Sequence, residues 1–358
     1  MRRIDASERA FLDKGSAARP SAQVIEQVIE VGFWASLLPE EGHNPRVTLA
    51  YTEPPGDGSA LTFEQHIPFE AHIVAHMAAS VERPGVHLGL WLIEGELRIW
   101  GILRSLPYWC FVLEVAAPGL LVVKYRRPDQ VGKLANLAVL EGASVKMIEP
   151  QSAVLTDAPH AMQPLLAFYS SAGGSGSDDV LVRTAISMRE HRRGGTLLIV
   201  PHADDGWVNS IAQPMPYRAN PPYSEVDQLL ELRGHDGAAA TAGLMSAVNA
   251  LAGLTAVDGA TVVSDRYAVL AYGVKIRRAD GAGTVQRVLV TEPIEGTDPL
   301  ELDATQLGGT RHLSAAQFVH DRPDSIAMVA SQDGRFTVFV WSRAMNVVHG
   351  HRLDSLLL

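Results

Sequence analysis

The chain has 358 residues, 47% of them hydrophobic and 20% charged, the proportions of a globular protein long enough for two domains. Its formal net charge is −10 and its lysines and arginines are scattered, which argues against nucleic acid as a partner, because phosphate neutralisation needs clustered cations. Cys110 is the only cysteine, which excludes intramolecular disulfides and thiolate metal clusters; behind Tyr108 and Trp109 it reads as a buried structural thiol.

Residues 1–14 are charged and lack an apolar signal core. The most apolar region, 87–123, is interrupted by Glu94, Glu96, Arg98, Arg104 and Glu114, short of the roughly 20 apolar residues a spanning helix needs. The expectation is a cytoplasmic protein with no membrane partner. Helical spacing marks 21–38, with Val24, Ile25, Val28 and Val31 on one side, and 68–81, where Phe69, Ile73 and Met77 recur. Residues 46–51 alternate as a short strand. Strands 88–93 and 97–102 flank a turn at Glu94-Gly95-Glu96, and 111–115 and 120–125 read as two more. A proline-led helix over 128–140 and a strand over 144–148 complete an α/β domain over 1–150.

Gly173-Gly174-Ser175-Gly176-Ser177 marks a linker over 151–177, and a second domain follows over 178–358. Asp178 or Asp179 caps a helix over 180–192, Gly194-Gly195 ends it, and 196–200 is a buried-type strand. A small-residue helix over 238–254 leads to strands 261–264, 267–276 and 287–291. Residues 314–320 form a helix, and 326–331 and 336–341 a hairpin around Asp333-Gly334. Mixed strands with a glycine-rich loop feeding a helix make this half α/β as well.

Two short segments carry chemistry. Gly308-Gly309-Thr310-Arg311-His312 precedes a helix; glycine lets backbone approach a ligand, helix-start N–H groups suit an anion, and Arg311 adds a permanent cation. Asp258-Gly259-Ala260 puts a carboxylate at a helix-to-strand junction, where it suits a divalent cation or a hydroxyl proton. Taken alone, the second segment equally reads as a plain turn, and the first as a helix start with a surface arginine and a half-buried histidine.

As a pair, in this order and some fifty residues apart, the two segments resemble the DGA and GTRHR motifs of diadenylate cyclase (DAC) domains. Residues 195–200 are similar to that family's early buried strand, and Ser331-Gln332-Asp333-Gly334 to its later Ser-Glu-Glu or Ser-Glu-Asp turn. The resemblance spans about 178–341. It implies a mixed sheet with flanking helices that condenses two ATP into cyclic di-AMP and pyrophosphate. Two domains must meet face to face, so a homodimer or higher homo-oligomer is implied. It places Asp258 by the ribose 3′-hydroxyl and a Mg²⁺ or Mn²⁺ ion, and Gly259 and Ala260 at the pocket floor. Gly309, Thr310, Arg311 and His312 would hold the triphosphate, with His312 touching the metal; Ser331 would meet phosphate, and the strand end at Ile276 the adenine. Two positions depart: Leu313 stands where the family has a second arginine, and Gln332 where it has a glutamate. These departures support the alternative of a catalytically silent nucleotide-binding receptor.

Towards the amino terminus, 89–93 and 97–101 (Gly-Leu-Trp-Leu-Ile and Leu-Arg-Ile-Trp-Gly) resemble the probable sensor domain, DACNV type, attached to some bacterial diadenylate cyclases. His72 and His76 have zinc-compatible helical spacing but read as solvated histidines, because the segment lacks a hydrolytic glutamate. His202-Ala203-Asp204-Asp205 reads as a polar turn, and the aromatics around Trp100 and Trp109 as core.

Overall fold

The computed structural model describes residues 17–83, 85–126, 134–148, 180–232, 237–295, 297–332 and 334–357. The expected linker, the caps Asp178 and Asp179, Pro128 and Asp333 lie outside these residues. Described residues up to Ile148 form one compact unit, and those from Val180 onward a second.

In the first unit, Ser21 caps helix α1 (Ala22–Ser36) by accepting the Val24 N–H at 3.3 Å. Strands β1 (Val47–Tyr51) and β2 (Leu61–Pro68) precede helix α2 (Ala71–Val81). Then come β3 (His87–Ile93), β4 (Glu96–Leu103), β5 (Phe111–Ala117), β6 (Leu120–Arg126), β7 (Leu134–Glu141) and β8 (Ser144–Met147). They form an eight-stranded sheet ordered β2-β4-β3-β1-β5-β6-β7-β8. Glu94 and Gly95 both take positive φ (54° and 84°), as the tightest hairpins require. Alternation sorts the faces: Leu49 and Leu113 pack with Val28 of α1 and Val74 of α2, while Ala50, Val112, Trp100 and Cys110 build a separate cluster. Burial pushes the Cys110 thiol up to about 12, so it is inert, as expected of a structural cysteine.

Several expectations are corrected here. The helix expected over 128–140 is the strand β7 in its described part. Leu134–Glu141 pairs antiparallel with β6 and then with β8 around Gly142, and this ladder overrides the helix propensity of its alanines and leucines. Helix α2 begins at Ala71 because Pro68 closes β2, and its fully buried stripe is Val74, Ala78 and Val81 rather than Ile73 and Met77. Trp100 is core, its indole N–H bonded to the Thr52 carbonyl at 2.7 Å. Trp109 is not core: it is 43% exposed and stacks on Tyr125.

The second unit opens with α3 (Val180–Glu190) and β9 (Gly195–Val200), followed by a 3₁₀ turn (Gly206–Ser210). Next come β10 (Arg218–Tyr223), α4 (Glu225–Leu232), α5 (Gly237–Leu254), β11 (Ala260–Ser264), β12 (Val269–Val274), β13 (Arg287–Thr291) and β14 (Leu300–Asp303). Helix α6 (Thr310–Asp321) and strands β15 (Ile326–Ala330), β16 (Phe336–Ser342) and β17 (Val347–Arg352) complete it. The nine-stranded sheet runs β10-β12-β11-β9-β15-β16-β17-β13-β14 and is mixed: β9 pairs parallel with β11, and β13 with β17. Every residue of β9, β11 and β15 is buried. Phe318 and Val319 of α6 pack with Leu198, Val262 and Val329 of these strands. Val248 of α5 packs with Val180 and Val226 in a satellite cluster. Both units are thus α/β, with six α-helices among the described residues. Helix α6 starts four residues earlier than its apolar pattern suggests, so Thr310, Arg311 and His312 are its first turn rather than a preceding loop.

Candidate functional site

Strand register gathers four distant segments at one end of the second sheet. Ala260 of β11 lies opposite Thr196 of β9 and opposite Val274 of β12, while Gly195 of β9 lies opposite Ala330 of β15. The residues just outside these positions therefore share that end. They are Asp258 and Gly259 before β11, Gly194 before β9, Lys275 and Ile276 after β12, and Ser331 and Gln332 after β15.

Glycines make the close approaches possible. Gly259 has φ +118°, and a Cβ there would fall 2.6 Å from the Gly273 carbonyl carbon. Only glycine lets the Asp258 segment cross β12 so closely. Gly194 has φ +70°, and a Cβ on it would lie 3.1 Å from Arg311 Nη1 and 3.3 Å from both the Ala330 oxygen and Gln332 Cγ. The Arg311 guanidinium and the turn after β15 thus meet at this glycine.

The electrostatics follow from the same geometry. Lys275 Nζ donates to Asp258 Oδ2 at 2.5 Å. That bond, then the charge of Lys275 and after it that of Arg311, hold the Asp258 carboxyl below the usual carboxylate range. Asp258 is therefore an ionised, exposed carboxylate between two cations. Gly309 is the N-cap of α6 and carries no side chain, so helix geometry leaves the N–H groups of Thr310 and Arg311 without intrahelical acceptors. Thr310 is exposed and Arg311 half-buried beside that end.

Other expected site residues have different surroundings. His312 is buried and stands edge-on to Phe339, with Nδ1 beside Gly308. Ile276 forms an isolated bridge to Ile211 and packs its side chain on the core. Ser331 lies in the turn after β15, its N–H donating to the Arg335 carbonyl at 2.8 Å and its carbonyl accepting from Gly334. Gln332 donates its side-chain amide to the Arg193 carbonyl at 3.3 Å, a bond an ionised glutamate cannot make. Leu313 packs against the core around α6. No local motif announces Lys275, because its pairing with Asp258 spans a hairpin. From the sequence, Gly194 reads only as a helix stop.

Among the described residues, no group of three or more His, Cys, Asp or Glu side chains is placed to hold a metal ion. His72 and His76 are exposed beside Glu70 and Glu40, as solvated histidines are, and His202 is tied to Asp265 at 3.1 Å in its polar turn. No helix among the described residues is long and apolar enough to cross a membrane.

No curated protein matches the chain. The first unit does match a known family over residues 14–104, from ahead of α1 to the end of β4, about a quarter of the chain: the family is described as probable sensor domain DACNV.

Proposed function

We propose that the second unit is a diadenylate cyclase-type domain that binds ATP and joins two molecules into cyclic di-AMP, with the sensor-like segment regulating it. The observation that carries this reading is the convergence of Asp258, Lys275 and Arg311 with the amino terminus of α6 at one sheet end. A triphosphate needs cations and free N–H groups, and the helix start with Arg311 supplies both. Asp258 is poorly suited to take a proton at neutral pH, since its pKa is already depressed. Its work is to orient the ribose 3′-hydroxyl and to hold positive charge near it. Asp258 would hold a Mg²⁺ or Mn²⁺ ion, hard cations that take carboxylate oxygen. When bound, such an ion supplies charge neutralisation at the reacting phosphate.

In the reaction, each 3′-hydroxyl gives up its proton to solvent and its oxygen bonds to the α-phosphorus of the other ATP, while the α–β phosphoanhydride bond breaks and pyrophosphate leaves with its electron pair. One domain holds one ATP, so two domains face each other. Positioning and charge stabilisation do most of the work. The test is purified protein with ATP and Mn²⁺, analysed by mass spectrometry for cyclic di-AMP and, with added pyrophosphatase, by phosphate release for pyrophosphate. Specific activity should rise with protein concentration where the protein is mainly monomeric. Product formed at full specific activity by a locked monomer removes the face-to-face arrangement.

Two observations favour a second reading, a receptor that binds nucleotide without turning it over. Leu313 puts an apolar side chain on the core where a second cation belongs, and Gln332 is engaged with Arg193 as a neutral donor. ATP binding without product under either metal selects this reading.

A further inference from the structure

The polar sheet end continues into an apolar groove. A cleft of about 420 Å³ lies between Tyr217, β12 and α5, walled by Ala250, Leu251 and Leu254 on one side and Val269 and Tyr272 on the other. Tyr217 and Tyr272 stack nearly parallel, ring centroids 4.8 Å apart, and the Tyr272 N–H donates to the Tyr217 carbonyl at 3.2 Å. Tyr217 is nevertheless 48% exposed, a large aromatic surface left open to solvent.

The groove reaches the charged cluster through one residue. Gly273 has φ +62°, and a Cβ there would lie 3.1 Å from the Tyr217 ring and 3.4 Å from Val257. The same glycine is the one Gly259 presses against. Tyr217, Val257 and the Asp258 segment therefore meet at Gly273, with aromatic surface leading up to ionised groups. Such a site suits a ligand that is flat and apolar at one end and anionic at the other.

We infer that this groove is the base-binding end of the nucleotide site and that Tyr217 is the aromatic wall on which a purine stacks. The inference rests on the reading of the second unit as a nucleotide site. It adds a base-stacking residue from the segment before β10, outside both recognised motifs. Ile276 turns its side chain to the core, so the exposed aromatic surface near Asp258 comes from Tyr217. Base–aromatic stacking tolerates any base, so hydrogen bonding to backbone would have to choose among purines.

Calorimetry with ATP and with inorganic tripolyphosphate, on full-length wild type, Tyr217→Ala, Tyr217→Phe and Ala250→Trp, tests this. Tyr217→Ala should weaken ATP about tenfold and leave tripolyphosphate unchanged, and Tyr217→Phe should keep ATP affinity within about twofold. Ala250→Trp adds bulk to an exposed groove position and should also weaken ATP alone, which keeps the test decisive if Tyr217→Ala fails to fold. Unchanged ATP affinity in Tyr217→Ala, or equal loss of both ligands in a folded variant, overturns the groove assignment and leaves the nucleotide reading standing. Wild type that binds neither ligand overturns both.

Discussion

Lys275 donates to Asp258 at 2.5 Å across the β11–β12 hairpin, joining residues 17 apart in sequence. Both side chains are largely exposed, at 61% and 84%. Exposed pairs contribute little to stability, so substitutions here test chemistry rather than folding. Asp258→Asn should abolish cyclic di-AMP formation while ATP affinity stays within about twofold and the melting temperature within about 2 °C. Lys275→Met should fold equally well and reach half-maximal rate at lower Mn²⁺, because the carboxylate no longer shares itself with an ammonium. A manganese titration of the rate checks this. An unshifted titration would show that Lys275 does not compete with the cation.

Arg311→Ala should act on binding rather than turnover. It deletes a cation at the start of α6 and should weaken ATP by about tenfold to a hundredfold, the range for charge-assisted hydrogen bonds. Calorimetry showing wild-type affinity would remove Arg311 from the phosphate site.

Leu313→Arg separates a slow cyclase from a receptor. Leu313 packs on the core, so the substitution should cost about 1 kcal/mol of stability. If the missing cation limits only rate, wild type makes product slowly and the variant makes it several-fold faster. Mass spectrometry of both proteins with ATP and Mn²⁺ reads the difference. ATP binding without product from either one selects the receptor.

Gly259→Ala should be severe for a purely steric reason. The new methyl would meet the Gly273 backbone at 2.6 Å, at a φ of +118° that side-chain-bearing residues avoid. A loss of at least about 2 kcal/mol is expected, together with loss of product. Melting measurements and the cyclase assay check both parts. A wild-type melt would mean β12 yields at Gly273.

His87 sets a pH dependence in the first unit. It is 5% exposed, and Nδ1 has no hydrogen-bond partner among the described residues. Burial, opposed by Glu114 and reinforced by Lys124, pushes its pKa from 6.5 down to about 4. The folded state therefore keeps His87 neutral while the unfolded chain takes up a proton below 6.5. Its contribution is complete above pH 6.5 and drains as pH falls towards 4, on the order of 3 kcal/mol in all. His87→Leu should remove that part of the slope, so its melting temperature should gain on wild type as pH falls. Parallel curves from pH 7.5 to 4.5 would exclude it.

What could be read in advance follows from which forces are local. The β9, β11 and β15 segments are short apolar runs bounded by glycine or polar turns, and such runs announce buried strands. Strand β10 contains two prolines and β2 has no buried residue, so neither edge strand had a pattern to show. Strand β17 buries His349 and His351, polar residues that interrupt an apolar signal. The apolar pattern misses the start of α6 because Thr310 and Arg311 are polar and lie outside its buried stripe. Asp258 and Arg311 stood out through their motif neighbours, whereas Lys275 and Tyr217 join them only through strand pairing.

Because β9, β11 and β15 are sealed on both faces at the centre of a nine-stranded sheet, their amides should be among the slowest in the molecule to exchange with deuterium. The floor beneath Asp258 and Gly194 then behaves as a fixed base plate. If the sheet end is the nucleotide site proposed above, any fitting to different nucleotides comes from what is mounted at its rim: the first turn of α6, the turn after Ala330, and the tyrosines beside Gly273. Changes in ligand preference should therefore be reachable by substitutions at those rims, without disturbing the strands that hold them in register.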